Sequence, residues 1–208
     1  MHKTMQQAQV ALFSGDQAGS VDAVARAAEI YRTELAPLMS DNSANASQAV
    51  NDALTGAADA ARRNDAPAFA SASGSLWTAL LRIGYDETLA ALRQGKLDTA
   101  RQWLLLREFR TASRFVRPNT DATRALDDAR AGKLATADAL VIVRTDLLDT
   151  YQSRLNEALR DLAQADARQL AAARAEYAAG ANGYFAMLAP FYGEQRSAVA
   201  LAETQRVF

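Results

Sequence analysis

The chain has 208 residues, half of them hydrophobic, and a formal net charge of −1 at neutral pH. That length suits one sizeable domain with a core of its own, and the balanced charge offers no global attraction to nucleic acid or to an anionic membrane. The absence of cysteine excludes disulfides, iron–sulfur clusters and thiolate zinc sites, and the sole histidine, His2, lies at the terminus and takes no role.

Alanine, leucine, arginine and glutamine dominate, prolines and glycines are few, and no alternating β-branched run occurs. Helix is therefore expected throughout. The first helix should run from about Thr4 to Ser14. The second should cover about Ser20 to Ala36, where Pro37 stops it. A polar loop, SDNSANAS, leads to a third helix over about Ser47–Arg63. The fourth, about Pro67–Gln94, is long, and Gly74 and Gly84 are expected to bend or break it. The fifth should span Leu97 to Val116, with Pro118 closing it. Asn119 or Thr120 should cap a short sixth helix ending at Ala131. The seventh should run from Thr136 to Gln164. The eighth should run from Ala167 to Leu188, weakened at Gly180 and Gly183, with a helical tail starting at Pro190. The reading is one all-α domain over residues 1–208, an antiparallel helical bundle of seven to nine helices.

A punctuation mark recurs at Gly15-Asp16, Asn64-Asp65, Gly95, Gly132 and near Ala167. Gly or Asn suits the left-handed position that closes a helix, and a following Asp can cap the next one. The two ends also echo each other, YRTELAPLMSD near Pro37 and YFAMLAPFYGE near Pro190. Either the domain is an internal duplication or similar helix ends arose twice.

The most informative stretch is Arg101–Pro118. On a helix, Leu105, Leu106, Phe109, Ala112 and Val116 share an apolar face, and Arg107, Arg110, Arg114 and Arg117 share its flank. That arginine flank could meet an anion or an acidic partner, although such flanks are more often solvated. Glu108 falls inside the apolar arc. In the seventh helix, Arg144 interrupts an apolar face that includes Leu147, Leu148, Tyr151 and Leu155. A lone buried charge is costly, so Glu108 and Arg144 are expected to pair between the fifth and seventh helices. Tyr151 would lie beside them, as part of a core ion pair or of a polar pocket. Asp146, Asp149 and Glu157 share the polar face of the seventh helix and form the candidate metal-ligating set, hard oxygen donors suited to iron(III), calcium or magnesium. Tyr177, Tyr184, Phe185, Phe191 and Tyr192 read as a helix-packing seam. No nucleophile–base constellation, phosphate loop or dinucleotide fingerprint is present, so the chain does not read as an enzyme.

The run WLLLREFRTASRFVRPNTDATRAL, followed by VRTDLLDTYQSRLNEAL, resembles the soluble helical extension that precedes the membrane part of bacterial high-affinity iron permeases of the oxidase-linked kind. The Gly-Asp start and the Leu-Ala-Pro segments extend the similarity over most of the chain. The resemblance implies an extracytoplasmic accessory domain, tethered to the cytoplasmic membrane by the permease region of the same polypeptide. It would bind or relay iron, or dock an oxidase or an iron-binding protein. The transport motif of that family is Arg-Glu-x-x-Glu within membrane helices. Here Arg107-Glu108-Phe109-Arg110-Thr111 matches only its first two residues, and the transport role is not carried over. The rival expectation is a helical-hairpin scaffold of the tetratricopeptide type, binding peptides and no metal, but its 34-residue period is missing.

Overall fold

The computed structural model of the protein describes residues 1–108, 121–195 and 197–206. Among the described residues it contains helices and no strand. These are α1 (His2–Phe13), α2 (Gln17–Ile30), α3 (Ala44–Arg62), α4 (Ala66–Arg93), α5 (Leu97–Trp103), α6 (Ala122–Arg130), α7 (Thr136–Ala167), α8 (Ala171–Gln195) and α9 (Ala198–Gln205). A π turn over Tyr31–Leu35 and a 3-10 turn over Ala36–Leu38 prolong α2 up to the proline.

The punctuation marks act as left-handed helix stops. Gly15, Asn64, Gly95, Gly132 and Gln169 all have positive φ. After each of them the next N–H reaches back to the fifth residue before it, at 2.9 Å in every case: Asp16 to Ala11, Asp65 to Ala60, Lys96 to Ala91, Lys133 to Asp128 and Leu170 to Ala165. That is the Schellman closure, which satisfies carbonyls left over at the helix end. Four stops fall where the sequence puts them, and the fifth lies two residues past Ala167. Asp16 and Asp65 then cap the following helix, accepting from the N–H of Gly19 and of Ala68.

Two hydrophobic clusters share one helix. The first joins α1, α2 and α3 to the earlier part of α4 through residues such as Val24, Val50, Phe69 and Ile83, with Trp103 added. The second joins Leu81, Leu89 and Leu92 of α4 to Leu126, Val143, Tyr151 and Phe185 of the later helices. The central element is therefore α4. Gly74 and Gly84 do not break it; it runs unbroken for 28 residues. A Cβ on Gly84 would strike the carbonyl oxygen of Leu106, and a Cβ on Gly183 of α8 would strike the Thr78 side chain of α4. Those glycines let neighbouring backbone approach.

The fifth helix is shorter than expected. It ends at Trp103, and three-residue turns follow, with Leu105 N–H bonded to Gln102 O and Leu106 N–H to Trp103 O. Leu105 is 69% exposed rather than part of an apolar face. The fit of Leu106 against Gly84 outweighs local helix propensity here. The remainder of that expected helix, and the Asn119 and Thr120 caps, lie outside the described residues. Asp121 caps α6 instead, accepting from Thr123 N–H and Arg124 N–H. Pro190 lies inside α8, which continues to Gln195. The two Leu-Ala-Pro segments thus differ in local structure: the first ends in a 3-10 turn and the second stays within a helix.

Candidate functional site

Glu108 is the centre of a polar knot. Because the chain leaves helical geometry after Trp103, its carboxylate reaches α4, α7 and α8 together. Oε1 accepts from Trp77 Nε1 at 2.7 Å and from the Tyr184 hydroxyl at 2.5 Å. Oε2 lies 3.3 Å from the Arg154 guanidinium, which also holds Glu157 at 2.7 Å. The Glu108 side chain is only 12% exposed. Charge-assisted hydrogen bonds of this kind are about twice as strong as neutral ones, and they replace the water that the carboxylate gave up.

The expected Glu108–Arg144 pair is corrected to Glu108–Arg154. The two arginines are ten residues apart on α7, ~15 Å along the axis, and only Arg154 lies level with the knot. Arg144 is at the rim, 5.5 Å over the Phe191 ring and 3.6 Å from the exposed Glu194. The position of Glu108 within an apolar surround was legible in the sequence, whereas its partner was not. Arg154 flanks the apolar face three residues after Tyr151, and that placement was the available signal.

Tyr151 is fully buried, edge-on to Tyr85 at 6.1 Å and stacked on Tyr184 at 6.4 Å between ring centroids. Its hydroxyl has no hydrogen-bond partner among the described residues. Burial, with Tyr85 and Glu108 nearby, pushes its phenol well above the usual tyrosine range. Burial, together with the hydrogen bond to Glu108, does the same for Tyr184. Tyr184 thus remains a donor to Glu108 at any ordinary pH.

A cavity of about 360 Å³ opens beside the knot, between α1, α4, α7 and α8. Trp77, Arg154 and Tyr184 belong to both. The rest of its wall includes Ser73 of α4, Glu157 and Asp161 of α7, and Glu176, Tyr177 and Gly180 of α8. Glu176 is half-buried, and desolvation raises its carboxyl above the usual range.

The candidate metal set does not converge. Asp146 and Glu157 are eleven residues apart, ~16 Å along α7, too far to share one ion. Asp146 accepts from the Ala122 N–H and so supports the start of α6. Glu157 is tied to Arg154. Asp149 has one carboxylate oxygen buried. Among the described residues no group of three or more His, Cys, Asp or Glu could hold a metal ion. Of the arginine flank, Arg107 donates to the Thr123 hydroxyl at 2.6 Å, while Arg110, Arg114 and Arg117 lie outside the described residues.

A second buried carboxylate, Glu87 of α4, was not marked as a site by sequence reasoning. It is 5% exposed and accepts from the Ser40 N–H, from the Ser40 hydroxyl and from the Ser43 hydroxyl at 2.7–3.0 Å. It pins the turn between α2 and α3. The polar run SDNS was the available signal, since its hydroxyls need an acceptor once they are buried.

The described residues contain no helix long and apolar enough to cross a membrane. The family of iron permease FTR1 N-terminal domains matches residues 1–208, and the chain belongs to that family. That family is one of iron permeases, membrane-associated transporters rather than enzymes. No curated protein and no solved structure matches the chain.

Proposed function

We propose that this chain is the extracytoplasmic accessory domain of an iron uptake permease, tethered to the cytoplasmic membrane through the permease region of the same polypeptide. The carrying observation is the family match across the full 208 residues. The role is to receive iron, or a partner that carries or oxidises iron, and present it to the membrane part. The acidic surface beside the knot, with Glu157, Asp161 and Glu176 on its wall, supports this by drawing cations toward one face. The donors there are carboxylates and phenols, which suit iron(III) better than soft metals. Iron handled at this face is cargo, passing without a resident three-carboxylate centre among the described residues.

The test is uptake of radioactive iron by cells carrying the full-length permease with and without this domain. Uptake at low iron should fall severalfold without it, while the membrane part remains at its normal level. Unchanged uptake at every iron concentration would remove the accessory role. Labelling of an introduced surface cysteine by a membrane-impermeant reagent in intact cells tests the placement.

A further inference from the structure

Trp77 of α4 stands between two open spaces. On one side is the cavity of about 360 Å³ beside the knot. On the other is a groove of about 570 Å³ between the end of α2, with its π turn, and the end of α5; Ile30, Leu35, Leu38, Trp103 and Leu106 lie on its walls. Met1, Trp77 and Leu80 line both spaces and so form the partition between them. Leu80 is buried, whereas Trp77 is half-buried and is the largest of the three. The knot holds it, since its Nε1 donates to Glu108 Oε1 at 2.7 Å. Protein interiors are close-packed, and a large side chain within them has little room to leave its rotamer. An indole with open space on two sides has that room and can reach another staggered well. The bond to Glu108 then decides which position it keeps.

We propose that Trp77 is a gate between the cavity and the groove, latched shut by Glu108. In the observed position the indole separates the two spaces, and the carboxylate satisfies its N–H. Turned toward either space, the ring would open the partition and join the two into one passage running past the start of α1. The latch makes the spaces interdependent. A group that enters the groove far enough to turn Trp77 must break its bond to Glu108, and a change that weakens the bond must favour the open passage. The closed position is preferred because the acceptor is a carboxylate, whose hydrogen bonds are about twice as strong as neutral ones. This inference rests on the partition alone. It can fail while dependence of iron uptake on the domain stands, and the reverse also holds.

The chain has two tryptophans, and Trp103, which lines the groove but not the cavity, is the internal control. The test is fluorine NMR of the whole chain carrying fluorotryptophan at both positions, with the resonances assigned through Trp77→Phe and Trp103→Phe. Glu108→Gln keeps the shape of the latch and removes its charge. The expected result is a second Trp77 state whose population rises about tenfold over wild type, a factor equivalent to ~1.4 kcal/mol, because a charged acceptor gives way to a neutral one. Trp103 should keep a single state. Acrylamide quenching of Trp77, measured in a Trp103→Phe background, should rise with the second state. Should Glu108→Gln not fold, Glu108→Asp, which keeps the charge and shortens the reach, decides on the same readings. A Trp77 population unchanged by loss of the latch would overturn the proposal. Exchange and quenching that rise equally at both tryptophans would also overturn it, by showing a general loosening of the fold instead of a gate.

Discussion

Glu87 and Glu108 are both carboxylates withdrawn from water, and they are kept there by different means. Glu87 is satisfied locally in space by one short turn, through a backbone N–H and two serine hydroxyls. All its partners are neutral, and they hold one connection between helices. Glu108 is satisfied by three helices at once, through an indole, a phenol and a guanidinium. Its partners stand 31, 46 and 76 residues away in the chain. The first arrangement fastens a turn and the second fastens the bundle. A buried charge thus costs little information when a serine-rich turn can wrap it, and much more when distant helices must converge on it.

The largest effect should come from Glu108→Ala. It leaves the Trp77 and Tyr184 donors without their charged acceptor and Arg154 with Glu157 alone of its two carboxylates, at a cost of roughly 3–5 kcal/mol if each lost bond to the charged group counts about 1.5–3 kcal/mol. Urea unfolding should show a lower midpoint with an unchanged slope, and hydrogen exchange should rise in α4, α7 and α8 together. A loss below about 1 kcal/mol, a typical neutral hydrogen bond, would place Glu108 on a par with a surface residue and break the contrast.

Glu87→Ala should cost less, about 2 kcal/mol, because the groups it frees are neutral. The change should be local: limited proteolysis should cut near Ser40 while the rest of the chain stays protected. Equal loosening of α7 and α8 would show that the turn is not an independent fastening.

The smallest effect separates the two by pH. The Tyr184 phenol is held above its ordinary value of 10.0 by burial and by its bond to Glu108. The folded state therefore keeps a proton that the unfolded chain gives up. Its contribution is complete below pH ~10 and is lost as pH rises beyond that. Wild-type stability should fall between pH 10 and 11 more steeply than that of Tyr184→Phe, as followed by urea midpoints and phenolate absorbance. The serines around Glu87 do not titrate, so a Ser43→Ala variant should keep the wild-type slope. Parallel pH profiles for wild type and Tyr184→Phe would count against the knot.

The helix stops were legible because each depends on one or two residues with special backbone freedom, such as Gly15 or Asn64. Helix existence was legible for the same reason: composition and periodicity act within a few turns. The misreadings all involve distant contacts. Gly84 looked like a weak point in a helix and is instead the place where Leu106 approaches. Glu108 looked like a residue on a long helix facing Arg144, because the end of α5 at Trp103 is set by packing against α4. Nothing within Arg101–Glu108 announces that packing. The cavity was invisible for the same reason, since Ser73, Asp161 and Glu176 come from three separate helices. Tyr184 was noted among packing aromatics, but its hydroxyl partner belongs to a residue 76 positions earlier.

The unbroken α4 has a consequence for how the chain melts. Its earlier residues belong to one cluster and its later residues to the other. If either cluster dissolved alone, half of a continuous helix would lose its partners while the other half kept its own. The chain should then avoid populating such a half-melted species, so that heating gives one calorimetric transition whose van't Hoff and calorimetric enthalpies agree. A shared helix makes two cores behave as a single thermodynamic unit.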